Sequence, residues 1–585
     1  MTIAKLVRRT DARLLVVASL LLSVGALVQA SARSAKSFDL VIENGRVVDG
    51  TGNAWFYGDV AIKGDSIVAI GQRGAFLTDH AARRIDATGL IVAPGFIDAL
   101  SSSDRAFLLG DGRSLSKLTQ GITTEILGEG WNDAPISDLT LASAEQLGIE
   151  GDGVKDALRQ FRGPEGFGRW LTAMQRHGIS PNVGSFIGAM TVRAYAMGMA
   201  MRSPTPEELA TMREVVRQAM LDGALGIGSA LIYPPGSYAS TNELIDLCKV
   251  IAPLGGTYST HIRSEGDQLL EGLDEAIRIG QDAGVPVEIY HLKAAGKRNW
   301  GKESAAIERI NKARAANQDV QANMYPYEAG GTGATACFPP WAAANGNLPA
   351  NLKDPNLLRR MKAEMHDEHS VWENVCQLAT PAGVVLFGLT QAENIEFNGQ
   401  TLAAVAAHEN LDWVDALARI VMTEPTTPNA MFFVASEENV RRELQLPWMK
   451  FVTDSSGESP TANEVTHPRA YGTFPRILGL YVREQHLMTL EDAVRKMTSA
   501  VAVRLGLERR GLIAPGYFAD LAIFDPDRVI DRATYAHPAQ ISEGIRFVLV
   551  NGVVVVENGA HTGAKPGRVV RGRGFQLAAA AKSPM

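Results

Sequence analysis

The chain of 585 residues is 46% apolar and 21% charged, enough for a barrel of ordinary size plus an accessory domain, and too long for one domain. A net charge of −7 with few basic clusters excludes a polyanion such as nucleic acid as partner, while a small neutral or anionic substrate stays open. The three cysteines Cys248, Cys337 and Cys376 are an odd, widely spaced set without a CxxC pair. Neither a disulfide framework nor a structural zinc site is therefore expected, and the apolar core must carry stability.

At the amino terminus, Lys5, Arg8, Arg9 and Arg13 precede an apolar stretch from Leu14 to Val28, and small residues follow at Ala30, Ser31 and Ala32. This order of features predicts a cleaved signal peptide over 1–32, and hence a periplasmic or secreted protein with no membrane contact after cleavage. The apolar run falls short of the ~20 residues that a spanning helix needs. Arg8-Arg9 leaves twin-arginine export open beside the general route. Residues 38–93 then read as short strands separated by Asn44-Gly45 and Asp49-Gly50 turns. The same texture returns in Ala519–Phe524 and Phe547–Val556. Two β-rich flanks, 38–93 and 507–575, predict one composite β-sandwich built from both termini.

Between them, 94–506 alternates strand and helix. Gly256–His261, Val285–His291 and Val320–Tyr325 read as strands, and Asp267–Asp282 and Ser304–Ala316 as helices, with a repeat of about thirty residues. Such alternation predicts an α/β fold with a parallel sheet. A (β/α)8 barrel is preferred to an open doubly wound sheet because polar residues recur at the carboxyl ends of successive strands. From about 333 to 380 the pattern breaks at Pro339, Pro340, Trp341, Gly346, Pro349 and Pro355, which predicts an inserted cap or a plain surface excursion.

Four polar residues stand at predicted strand ends: Glu129, His261, His291 and Asp454. Two imidazoles and two carboxylates converging on a barrel mouth suit a divalent ion, with zinc the natural choice for these ligand types, and a position left open for water. Singly, each has an ordinary structural reading: a hydrogen-bonded histidine, a turn aspartate, an exposed loop glutamate.

The segments Val92-Ala-Pro-Gly-Phe-Ile-Asp98, Gln120-Gly-Ile-Thr-Thr-Glu125, Ser229-Ala-Leu-Ile-Tyr-Pro-Pro235 and Thr260-His-Ile-Arg-Ser-Glu-Gly-Asp267 occur in that order. His291-Leu-Lys293, Tyr325-Pro-Tyr327, His467-Pro-Arg469 and Leu512–Asp520 follow. Through them the chain resembles the amidohydrolase superfamily, in its D-aminoacylase (N-acyl-D-amino-acid deacylase) branch, from about Phe38 to Arg571. The resemblance implies that His261 and His291 are metal ligands and Asp454 the catalytic acid–base. It further implies that Tyr233 polarises the scissile carbonyl, and that Lys293, Tyr325 and Arg469 hold the substrate's carboxylate. The substrate it implies is a small N-acylated molecule, hydrolysed at a linear amide.

The chain departs from that branch at the first strand, where Leu100 and Ser102 replace a His-x-His pair. The bridging cysteine is missing too, in the sequence Gly128-Glu129-Gly130-Trp131. Glu129 is the expected third ligand, although Gly130 takes the place in a gapless alignment. One metal site is thus expected, held by Glu129, His261 and His291. The competing readings are a cyclic-amide hydrolase, a D- or iso-dipeptidase, and a catalytically silent periplasmic binding protein with a decayed site.

Overall fold

The computed structural model describes residues 36–148, 154–368, 370–460 and 465–575. The signal peptide expected over 1–32 lies outside them. Among the described residues, eight parallel strands close into a barrel. They are Phe96–Asp98, Ile122–Leu127, Asn182–Ser185 (continuing as Ile187–Gly188), Gly226–Ala230, Thr257–His261, Val287–Ile289, Val320–Met324 and Met449–Phe451. Closure of the eighth strand on the first is made by a parallel bridge between Ser101 and Ser455 and by the Asp454 N–H donating to Leu100 O at 2.9 Å. Strands two and five are buried at every position, as strands covered on both faces must be.

The predicted helices form close to their expected bounds. Leu269–Ala283 buries Leu269, Leu273 and Ala276 against the barrel and stops at Gly284, whose φ of +71° is the left-handed conformation that ends a helix. Glu303–Ala315 follows the sixth strand in the same way. Among the described residues no helix is long and apolar enough to cross a membrane.

Both termini contribute to one nine-stranded sheet, as expected. The join is Leu521–Phe524, which pairs antiparallel with Ile91–Pro94 in the register Leu521 with Pro94. Its core mixes Leu40, Val60 and Ile62 from one flank with Ile523 and Leu549 from the other. The end of the second flank leaves this sheet. Val570 N–H donates to Val183 O, so the tail lies along the third barrel strand.

Two expectations are corrected here. The insertion does not end near 380: Ala329–Gly333, Val384–Phe387 and Asn429–Phe433 form a separate three-stranded sheet, so the inserted unit runs on to Phe433. Its helices Leu402–Glu409 and Trp413–Thr423 bury Val405, Val414 and Leu417 in a core of their own. That strand–helix–helix–strand run has the texture of the barrel repeat, which is why pattern alone assigns it to the barrel. The second correction concerns the cysteines, since Cys337 and Cys376 form a disulfide with Cα atoms 5.2 Å apart, leaving Cys248 free and buried. The chain doubles back inside the insertion, so a separation of 39 residues becomes a short distance. Closing a loop of this length is worth about 2–4 kcal/mol. Cys376→Ser is therefore expected to unfold the insertion at lower urea concentration, and reductant should do the same to the wild type but leave the variant unmoved.

Candidate active site

Glu129, His261 and His291 meet at the carboxyl end of the barrel. Each offers a ligand atom, and the three atoms lie within 4.8 Å of one another. His261 and His291 arrive on the ends of strands five and six, and Glu129 arrives on the turn after strand two. That turn depends on Gly128, whose φ is +98° and where a Cβ would lie 2.3 Å from Phe186 O. Gly130 carries no side chain toward the cluster, and the Glu129 Oε1 sits 2.9 Å from His291 Nε2 and 3.4 Å from His261 Nδ1.

The His261 ring has both nitrogens buried and without a hydrogen-bond partner. Such a group is costly unless something binds it. Two imidazoles and one carboxylate with an open side are the donor set of a catalytic zinc site, so these residues fit a divalent ion. Burial would raise the Glu129 pKa, but the two imidazoles outweigh it and hold the carboxyl well below the usual range. Burial and Lys293 oppose a proton on His291. The carboxylates of Glu265, Asp454 and Glu129 win, raising its pKa to about 9.

Asp454 and His291 both hold left-handed backbone, with φ of 51° and 33°. Non-glycine residues adopt such angles only where their surroundings over-determine them, and sites of chemistry are where this recurs. For His291 the constraint is visible: its N–H donates to Asn323 Oδ1 at 2.8 Å. Asp454 faces the same cavity of about 140 Å³ as Glu129, His261, His291, Tyr233, Tyr325 and Lys293. Burial and the nearby Glu129 raise the Asp454 pKa against the pull of Arg469. The Tyr233 ring packs edge-on to His261, 5.4 Å between centroids, and burial pushes its phenol far up, so it stays protonated and able to donate.

The structure brings the three expected carboxylate-binding residues together, with their charges already engaged. Arg469 lies behind the cavity wall, 4.7 Å over the Tyr325 ring, with Nη1 2.6 Å from Asp454 Oδ2 and Nη2 donating to Gly331 O at 2.9 Å. The Lys293 Nζ donates to Glu265 Oε1 at 2.6 Å and lies 2.9 Å from His291 Nδ1.

Glu265 is the functional residue that sequence reasoning misses. Besides binding Lys293, it lies 2.9 Å from His291 Nδ1, the place of a carboxylate that would orient this imidazole toward an ion. A signal exists, since it falls four residues after His261 within the quoted Thr260–Asp267 segment. Glu373 had none: it reaches the cavity from the insertion, where its oxygens accept from Ser264 Oγ at 2.6 Å and Glu265 N at 2.9 Å.

At the first strand, Leu100 is buried among Val452 and Val501, and Ser102 is exposed. Among the described residues, Glu129, His261 and His291 are the only group of three or more such side chains placed to hold a metal. The corner beside them is instead filled by a fully buried Lys117, whose Nζ donates to Asp98 Oδ2 at 2.8 Å, to Ser455 O at 2.6 Å and to Thr453 Oγ1. Glu125 lies 3.9 Å from the same ammonium and accepts from Ser101 and Ser114 at 2.6 Å each.

A closed barrel with imidazoles and a carboxylate gathered at its carboxyl end, a buried acid beside them and a composite β-sheet attached defines a metal-dependent hydrolase of the amidohydrolase type. The model of the amidohydrolase family matches residues 451–556. D-aminoacylase of Alcaligenes xylosoxydans xylosoxydans is 34% identical over 92% of this chain and 99% of its own. N-acyl-D-glutamate deacylase of the same organism is 34% identical over 92% of this chain and 97% of its own. Among solved structures, a D-aminoacylase is similar with a TM-score of 0.75 and 32% identity, covering 91% of this chain and all of that one. A D-aminoacylase studied for its binuclear centre, with one-metal activation and second-metal attenuation, matches equally well. N-acyl-D-glutamate deacylase of Bordetella bronchiseptica, complexed with zinc and a phosphonate mimic of the tetrahedral intermediate, follows at a TM-score of 0.73 and 30% identity, covering 92% and 100%. The chain belongs to the D-aminoacylase branch of the amidohydrolase family.

Proposed function

We propose that this protein hydrolyses the amide bond of N-acyl-D-amino acids, releasing a carboxylic acid and a free D-amino acid, with a single divalent ion, zinc, held by Glu129, His261 and His291. The observation that carries this reading is the orphaned His261 ring beside Glu129 and His291 in a cavity shared with Asp454. Such an ion supplies Lewis acidity toward the carbonyl and makes an attacking water more acidic.

The residues of the chain do the rest. Tyr233, held protonated, donates to the carbonyl oxygen as negative charge develops there. Asp454, with its raised pKa, takes a proton from the attacking water and returns it to the leaving amine. The substrate's α-carboxylate lies toward Lys293, Tyr325 and Arg469, whose Nε is buried without a hydrogen-bond partner. The insertion supplies Glu373, Val375, Leu378 and Phe432 to the wall of the cavity.

The relatives' binuclear chemistry is not carried over, because Leu100 and Ser102 offer no imidazole for an outer ion. Export belongs to the same proposal. It rests on the basic and apolar pattern of 1–32, and the Cys337–Cys376 bridge suits an oxidising compartment.

The test is metal content followed by turnover of N-acetyl-D-amino acids and their L-enantiomers, read as released amine. One equivalent of metal, loss of activity with chelator and restoration with zinc are expected. His261→Ala should lose both metal and activity. Full activity in metal-free protein would end the proposal.

A further inference from the structure

Three features of the cavity wall bear on which substrates it admits. The first is its charge: Glu129, Glu265, Asp454 and Glu373 all line the cavity, and Lys293 is the one lysine or arginine that does. That ammonium is already bound to Glu265 at 2.6 Å. The second is the origin of part of the wall. Thr332, Glu373, Val375, Leu378 and Phe432 come from the insertion, so Glu373 is the one charged side chain that it brings to the cavity. The third is how firmly that carboxylate is held. The Glu265 N–H and the Ser264 hydroxyl each donate to a separate Glu373 oxygen, which anchors the side chain at its head.

Resting on the deacylase reading, we propose that Glu373 sets the charge preference of this enzyme, excluding N-acyl-D-amino acids with acidic side chains and directing it to neutral ones. A divalent ion, Lys293 and Arg469 behind the wall supply as many positive charges as the four carboxylates remove. The substrate's own α-carboxylate already tips the balance. A glutamyl or aspartyl side chain brings a second negative charge, with no cation left on the wall to meet it and Glu373 facing it. Like-charge juxtaposition at a desolvated contact rejects a ligand far more strongly than a missing contact does. The glutamate and aspartate deacylases named among relatives show that the family contains members that accept such side chains. This chain's wall is built against them.

The test uses the full-length enzyme loaded with metal and two isosteric pairs, the N-acetyl derivatives of D-glutamine and D-glutamate, and of D-asparagine and D-aspartate. Burial lifts the Glu373 pKa to about 7 against the Ser264 hydrogen bond. The assays are therefore run near pH 8.5, about 1.5 units higher, where its charge is complete. The wild type is expected to favour the amide over the acid of each pair by about tenfold or more in kcat/KM, since like-charge contacts cost that much at least. Glu373→Gln keeps an acceptor for the Glu265 N–H and should shrink that ratio by about tenfold. Val375→Lys, which adds a cation to the same wall, should shrink it as well and decides the matter if the first variant does not fold. A wild-type ratio near unity, or one that Glu373→Gln leaves unmoved, overturns the proposal while the deacylase reading stands. Absence of hydrolysis of all four compounds and of N-acetyl-D-leucine overturns both.

Discussion

Asp454→Asn is expected to lower kcat by about 10²–10⁴-fold, the usual worth of a positioned acid–base group, with the folded state intact. Asparagine is the informative substitution because it preserves shape and tolerates the backbone. At a φ of 51°, alanine would add strain of its own, whereas asparagine and aspartate both visit the left-handed region with little penalty. The amide cannot take a proton from water at neutral pH, so the loss falls on turnover. Arg469 retains Gly331 O and the face of Tyr325 as partners when its ion pair with Asp454 disappears. Steady-state kinetics beside a thermal melt check the prediction. A Tm near that of the wild type with collapsed kcat is expected; kcat within a few-fold of wild type would remove Asp454 from the mechanism.

Lys117→Met should cost about 3–5 kcal/mol of stability, the price of breaking a buried ion pair from one side. The ammonium is fully buried, with Asp98 at 2.8 Å and Glu125 at 3.9 Å, and methionine fills its volume without meeting either carboxylate. The effect extends to catalysis. Asp98 Oδ1 accepts from Thr453 N at 2.9 Å, and Lys117 donates to Ser455 O, so the residues on both sides of Asp454 are tied to this ammonium or its partner. Lys117→Met is therefore expected to lower kcat beyond what the unfolded fraction explains. Urea denaturation gives the first quantity, and kinetics at a temperature where the variant is fully folded give the second. A stability loss under about 1 kcal/mol, within the range of an exposed pair, would show that the buried charges are satisfied some other way.

The sequence made the frame of the molecule legible because its signals are local. Asn44-Gly45 and Asp49-Gly50 mark turns whatever lies far away, and the apolar spacing of Leu269, Leu273 and Ala276 records one helix face. The meeting of Glu129, His261 and His291 was legible for a related reason: in a barrel, a polar residue at a strand's carboxyl end is placed at the mouth by topology alone. The choice between Glu129 and Gly130 needed three dimensions, where the Glu129 carboxylate reaches both imidazoles. What escaped depends on contacts between distant segments. Glu373 meets Ser264 across 109 positions, and Lys117 meets Thr453 across 336. Cys337 finds Cys376 only once the insertion has folded back, and the extension of the insertion past 380 rests on the pairing of Val384–Phe387 with Asn429–Phe433.

The insertion has an apolar core separate from that of the barrel, together with its own sheet and covalent tie, and it supplies wall residues but none of the proposed metal ligands or the general base. On the proposed reading, bond-breaking and side-chain preference thus sit on two pieces of polypeptide, which meet where Glu373 accepts from Ser264 and Glu265. On that reading, a lineage carrying this arrangement can explore new side-chain preferences by altering one module, provided the Glu373 contact with Glu265 is kept or replaced.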